Sequence, residues 1–451
     1  MSKHINNSIK IQNRIVFHYF PIRIKGCSGI LFLLLLLLAV PGTGLSKEKK
    51  EKKPKIEKLS TLQKNARMAL KNQSGQEGAR TALMGALNRP ELKNRQRADI
   101  HYTLALLDES INGIENQKAY LKQPYDTAKF FNKLKDMYGQ LRLCDSVDLI
   151  PDSKGKVHAT MQRKTRALRL KHRRNIYGGG KFFLAKSNYT AAYPFFDLYC
   201  TFKPQATAGS RSQEKADTLY PQAVLWATLS SFLGENYQGT IKHIDNAIAT
   251  ANSENAAILQ EYKVRSFAKL QNDSAWVSAL KQGVQSYPQH DYFFVQLADW
   301  YHEQGNFEGE KQLADMLIKR IGGKAIHYYA KSKSFLSEEK YEECIACADS
   351  AIALQNDFAD AYYNKGIAYL NMAVNAHEAS CKDVRDPQYA IDKKKTQDLY
   401  RKARPCMETV RRLLPEKMDK WATPLYRIYL NLNLGEEFVE IDRLLNLKPK
   451  K

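Results

Sequence analysis

A few groups of residues have types and spacings that chemistry could use. Gly178-Gly179-Gly180-Lys181 sets a lysine beside backbone that carries no side chains, which is the raw material of a phosphate cradle. A phosphate loop needs a longer spacing that ends in Lys-Ser or Lys-Thr after a strand, and neither condition holds. The glycines are therefore expected to serve close helix packing or a kink. Cys344 and Cys347 lie three apart, so both sulfurs share one helix face. Zinc would need two further ligands at similar spacing, and a redox pair normally opens a helix after a strand, so packing is the expectation here too. Cys381 and Cys406 flank an irregular segment and could form a bridge in an oxidising compartment. The ten histidines form no H-x-x-H or H-E-x-x-H, and no serine stands in a nucleophile elbow. The acid pairs Glu338/Glu339 and Glu342/Glu343 fall at helix turns, where solvated faces suffice to explain them. No catalytic residue, metal or cofactor is expected.

The elements that must carry these residues are helices. From Leu59 onward apolar residues recur at spacings of three and four, as in Ile241, Ile244, Ala247 and Ile248, and again in Leu399, Ala403, Met407, Val410 and Leu414. Short turns such as Leu233-Gly234-Glu235-Asn236 and Gln304-Gly305-Asn306 separate them. Tyr328, Ser332 and Phe335 are followed at an offset of 34 by Tyr362, Gly366 and Tyr369, and preceded at the same offset by Phe294, Ala298 and Tyr301. Large, small and aromatic classes recur at fixed places, which marks a repeat.

This pattern resembles the tetratricopeptide repeat (TPR), a pair of antiparallel helices with small residues at places 8, 20 and 27 and aromatics at places 4 and 11. Ala361-Tyr-Tyr-Asn-Lys-Gly-Ile-Ala-Tyr369 carries the likeness best, and Cys344 stands at a small-residue place of its repeat. The resemblance implies an all-α chain, an α-solenoid of antiparallel helix pairs wound as a right-handed superhelix. It covers 221–451 strongly and 59–220 as degenerate pairs. Departures are two extra residues between Thr240 and Ala257, and an insertion near 378–397 expected as a long loop or helix extension. In the weaker part, Tyr189 to Asp197 reads as a second helix, interrupted or begun at Pro194.

Family members usually bind a peptide or partner helix on the concave surface formed by the first helices. By place, that surface would comprise Val295, Asp299 and His302, then Tyr329, Lys333 and Leu336, then Tyr363, Ile367 and Leu370. The carboxylate clamp of chaperone-binding members is expected to be absent: Asn364 fits one of its places, but Tyr329 and Lys333 stand at two others.

Charge supplies a second theme. The chain has 70 Lys and Arg against 47 Asp and Glu, a formal +23. Between Lys154 and Lys186 there are eleven cations and no acid. At 100° per residue, Met161, Thr165, Leu168 and His172 fall on one stripe, and Arg163, Lys164, Arg166, Arg169, Lys171, Arg173 and Arg174 spread over the rest. Such a helix is either a solvated outer element docked by its stripe or a contact for an anionic surface.

The first 46 residues hold five cations, no acid, a leucine-rich run from Ile30 to Val40 and then small residues. This is the order of a signal peptide, with cleavage expected after Gly44 or Ser46; an uncleaved anchor is the rival, although the apolar run is short for a bilayer. A basic linker follows over 47–58. Without the leader's five cations the remainder still carries about +18, and its six cysteines are too sparse for a disulfide framework. The expectation is an exported, non-catalytic interaction scaffold in the periplasm or membrane-associated envelope of a Gram-negative bacterium, with an envelope protein or peptide as partner. The alternative is a basic protein that binds anionic lipid or polysaccharide. A leader argues against nucleic acid.

Overall fold

The computed structural model describes residues 57–152, 154–157, 159–202 and 217–446. The expected leader, and the linker up to Ile56, lie outside them. Among the described residues there are eighteen helices and no strand, and the helices belong to one compact unit that begins at Glu57. Each helix packs chiefly against its neighbours in sequence, which makes this an all-α solenoid of antiparallel pairs.

The pairs run as α1 (Leu59–Asn72) with α2 (Gln76–Ala86), α3 (Asn94–Tyr120) with α4 (Thr127–Asp148), and α5 (Gln162–Ala185) with α6 (Tyr189–Thr201). Then come α7 (Tyr220–Leu233) with α8 (Tyr237–Thr250), α9 (Ser253–Lys269) with α10 (Asp273–Ser286), and α11 (Asp291–Glu303) with α12 (Phe307–Ile321). The last are α13 (Ala325–Ser337) with α14 (Tyr341–Leu354), α15 (Ala359–Glu378) with α16 (Pro387–Leu413), and α17 (Met418–Asn431) with α18 (Gly435–Asn446). The starts of α11, α13 and α15 are each 34 residues apart, the period read from the residue classes.

Local chemistry sets the boundaries. Asn236, Asn252, Asn272 and Asn306 each precede a helix, and each accepts a hydrogen bond from the backbone N–H three residues on, satisfying a donor the helix leaves unpaired. The turns inside the four successive pairs from α7/α8 to α13/α14 each hold one left-handed residue: Glu235, Gln271, Gly305 and Glu339, with φ of 59°, 54°, 68° and 59°. Only Gly305 adopts that conformation without a side-chain penalty. Asn188 caps α6 through the N–H of Ala191, so that helix begins before Pro194 and runs through it.

The insertion is absorbed mainly as helix. Helix α15 extends to Glu378, and α16 starts at Pro387 and runs for 27 residues, leaving a loop over 379–386. Pro387 suits the first turn, where its missing N–H is no loss, and Asp386 accepts from the Gln388 N–H at 2.8 Å.

The glycine run packs as expected. A Cβ on Gly179 would come within 2.7 Å of the Phe195 ring, and one on Gly180 within 2.7 Å of Phe196. Bare backbone here lets α5 and α6 approach until those rings are wholly buried. Gly283 plays the same part against Phe293, and Gly366 against Met407. Apolar side chains gather in several clusters strung along the chain. One of them joins Phe195, Phe196 and Tyr199 to Val224, Ile244 and Leu259, and so spans the junction of the degenerate pairs with the regular array.

Candidate functional site

In the regular array the first helices α11, α13, α15 and α17 contact one another in succession, so equal places on them stand side by side. An ion pair records this alignment: the Lys333 ammonium of α13 reaches the Asp299 carboxylate of α11 at 3.0 Å. Val295, Tyr329, Leu336, Tyr363 and Ile367 are all half-buried. The Tyr329 ring lies 5.1 Å from that of Phe358, and the Lys420 ammonium sits 5.5 Å from the Tyr363 ring centre while pairing with Asp360. These contacts limit the rotamers of both tyrosines, and a preorganised aromatic side chain loses less entropy on binding.

Not every residue placed on this surface is available. Leu370 is 5% exposed and belongs to the core of the last pairs, with Ala373, Tyr400 and Met407; the last turns of α15 are covered by the long α16, whose length the repeat pattern does not anticipate. The Glu310 carboxylate accepts from His302 Nδ1 at 2.8 Å and from the Ser334 hydroxyl at 2.7 Å. Glu310 is buried, so its carboxyl oxygens require those partners, and His302 is spent in meeting that requirement. Asn364 donates to the Ser332 hydroxyl at 2.9 Å and is itself buried, so it works as an internal tie. The accessible part of the face is aromatic and aliphatic.

Helix α5 docks by the expected stripe: Met161, Thr165, Leu168 and His172 are buried. The seven cations around it divide. Arg169 pairs with Asp145 at 2.6 Å and lies over the Phe202 ring. Arg173 pairs with Asp217 at 2.6 Å and sits 3.8 Å from the Tyr199 ring centre. Lys171 and His172 both reach Glu109 at 2.8 Å, and these hydrogen bonds hold the Glu109 carboxyl below its usual range even though burial opposes them. Arg166 is also engaged by neighbouring groups. A uniformly solvent-facing or ligand-facing cationic helix is therefore corrected: Arg169 and Arg173 are structural, because the acids that pair with them come from α4 and the segment before α7, distant in sequence. Arg163, Lys164 and Arg174 are the exposed cations of the seven without a carboxylate partner among the described residues.

A repeated ion pair escaped the sequence reading. Lys263 reaches Asp245 at 2.7 Å, Lys331 reaches Asp315 at 2.7 Å and Lys365 reaches Asp349 at 2.5 Å. Each joins a first helix to the second helix of the preceding pair, at sequence separations of 18, 16 and 16. The wider separation falls where the array has its two extra residues. Burial lowers the Lys365 ammonium and Asp349 more than offsets this, raising it overall. The recurring Asp-to-Lys spacing was the signal that could have found it.

Cys344 is fully buried with its thiol 3.7 Å from the Asn364 carbonyl, and burial pushes its pKa up to about 12. Cys344, Cys347, Cys381 and Cys406 are free thiols. Among the described residues no group of three or more His, Cys, Asp or Glu could hold a metal ion, and no helix is long and apolar enough to cross a membrane.

No protein-family model matches the chain, and no curated protein matches it. Solved structures of TPR proteins are similar to it. The C-terminal part of a TPR repeat-containing protein from Cytophaga hutchinsonii aligns at 14% identity over 61% of this chain and 96% of that one, with a TM-score of 0.40. A TPR repeats protein from Bacteroides fragilis aligns at 14% identity over 60% and 98%, with a TM-score of 0.29. YrrB, described as a TPR protein with an unusual peptide-binding site, aligns at 15% identity over 41% and 88%, with a TM-score of 0.28. At these identities and TM-scores the likeness is one of helical-repeat architecture, and the architecture of this chain rests on its own helix order and packing.

Proposed function

We propose that the chain is a non-catalytic interaction scaffold of a bacterial cell envelope, exported by its leader, that captures an extended peptide or partner protein across its successive first helices. One observation carries the reading. The Asp299–Lys333 pair ties two first helices together, and Val295, Tyr329 and Tyr363, at equivalent places of successive first helices, with Leu336 and Ile367 beside them on the same helices, leave an aromatic and aliphatic face only half covered. Tyrosine anchors of this kind commonly dominate interface energetics. Periplasmic or membrane-associated placement rests on the order of basic, apolar and small residues in 1–46. The alternative, contact with anionic lipid or polysaccharide, keeps Arg163, Lys164 and Arg174 as its exposed cations.

A photo-crosslinker at Ile367 tests the reading. It should trap one discrete envelope protein or peptide, whereas the same group at Met316, on the second helix α12, should not. Tyr329→Ala with Tyr363→Ala should abolish the adduct while helicity is kept. An adduct that survives the double substitution would place recognition elsewhere.

A further inference from the structure

The turn joining α4 to α5 leaves three aliphatic side chains in the open: Leu149, Ile150 and Val157 are 44% to 49% exposed. They are not what shapes the turn. The Asp152 N–H donates to the Lys156 carbonyl at 3.0 Å and the Gly155 N–H to the Asp152 carbonyl at 2.9 Å, which brings the chain at Pro151 and at Val157 together. The Asp152 carboxylate accepts from the N–H groups of Lys154 and Lys156 at 2.8 and 3.0 Å. Where the chain enters α5, the Asp148 carboxylate accepts from the Met161 N–H at 2.7 Å and the Thr160 hydroxyl at 3.2 Å. Hydrogen bonds fix this backbone, and the aliphatic side chains are left facing water, where covering them would gain free energy.

Charge is the second, independent observation. Lys154 and Lys156 of this turn, and Arg163 and Lys164 of the first turn of α5, are all exposed. Among the described residues none of the four pairs with a carboxylate, and Lys164 lies 5.8 Å from the Tyr102 ring centre. Asp145 is matched by Arg169 at 2.6 Å, so only Asp148 and Asp152 stand against these four cations. Helix α5 gains nothing from cations in its first turn, where the dipole favours acids and none is present. Side chains that prefer to leave water and an excess of positive charge therefore coincide on one exposed turn.

We propose that the turn between α4 and α5 seats on an anionic lipid surface. Leu149, Ile150 and Val157 enter the headgroup region, and Lys154, Lys156, Arg163 and Lys164 meet lipid phosphates around them. An acidic bilayer holds such an element by buried apolar area and by charge together. A soluble polyanion would use the cations and leave the aliphatic side chains in water. The proposal rests on the lipid alternative read from α5 and adds its apolar half; it does not depend on the peptide face of the first helices.

A benzophenone amino acid at Ile150 of the full chain tests this, with adducts read by mass spectrometry of the peptide that carries it. Irradiation with vesicles of phosphatidylcholine and phosphatidylglycerol should give a lipid adduct, in yield at least roughly fivefold above that with phosphatidylcholine alone. The same group at Leu121, exposed at the other end of α4 where Lys118 pairs with Glu115 at 2.9 Å, should give little, so attachment of vesicles elsewhere on the chain does not mimic the result. Lys154→Gln with Lys156→Gln should lower the yield on anionic vesicles roughly tenfold, the scale of two cations near an acidic surface. Leu149→Gln with Val157→Gln should lower it by a similar factor at unchanged charge, and helicity should be kept in both pairs because all four positions are exposed. Vesicle sedimentation of Arg174→Gln tests the lipid reading of α5 by itself, so its failure is told apart from failure of the turn. Equal yields on neutral and anionic vesicles, an adduct with an envelope protein in place of lipid, or a loss from the lysine pair with none from the aliphatic pair, which marks a polyanion contact, would each overturn the proposal.

Discussion

The degenerate pairs and the regular array use the same helix pairing but secure it by different means. In the first region, residues from well-separated parts of the chain close on one another, Arg80 on Asp108 at 2.7 Å and Arg169 on Asp145, and at its junction with the array Lys242 and His243 close on Asp197. Side chains there are individual, and so are the contacts. In the array, one Asp-to-Lys pair is repeated between neighbouring helices at a nearly constant separation, and small residues stand at fixed places. A repeat can use one solution several times because each unit meets the same neighbour. Where repetition has decayed, every interface is held by its own set of partners.

The largest expected effect tests whether close packing is common ground. Gly180→Val and Gly283→Val would each drive a branched side chain into a buried ring, Phe196 in the first region and Phe293 in the second. Each should cost about 3 kcal/mol, the upper end of the usual overpacking cost. If stability is local, native-state hydrogen exchange should quicken in α5 and α6 for the first variant and in α10 and α11 for the second. Equal acceleration throughout would show that the two regions unfold as one.

Protons should separate the regions more sharply. Burial pushes Asp108 up to about 6, against the pull of Arg80 and Lys133. Between about pH 6 and 4 its folded form therefore holds a proton that the unfolded chain has released, and this residue's contribution to stability rises as pH falls. Buried His327 is opposite: its Nδ1 accepts from the Lys324 N–H at 3.0 Å, and its pKa drops from 6.5 to about 4. Its contribution is fully present above pH 6.5 and is lost as pH falls toward 4. Each group can impose a slope of up to about 1.4 kcal/mol per pH unit. Compared with wild type in urea unfolding, Asp108→Asn should remove a gain on acidification and His327→Gln should remove a loss. Differences of the same sign would break the contrast.

The smallest effects distinguish individual from repeated ion pairs. Arg169→Met should cost about 1 to 2 kcal/mol, because it loses Asp145 and the stack on Phe202 from a mostly covered position. Lys331→Met and Lys365→Met should each cost only a few tenths to about 1 kcal/mol, since Asp315 and Asp349 stay more than half exposed. Thermal melts of the three variants would rank them, and a larger loss from the lysines would assign the repeated pair greater weight.

The all-helical class and the 34-residue period were legible because they rest on neighbours in sequence: apolar spacing makes a helix face, and stacking equal units demands equal residues at equal places. The packing role of Gly178–Gly180 and the buried stripe of α5 were legible for the same reason. Residue classes could place Val295, Tyr329 and Tyr363 on first helices, but could not show that α16 covers Leu370 or that Glu310 engages His302. Nor could charge counting tell Arg163, left exposed, from Arg173, which closes on Asp217. Burial of a charge depends on which distant helix supplies its partner, and that choice is made only when the pairs stack.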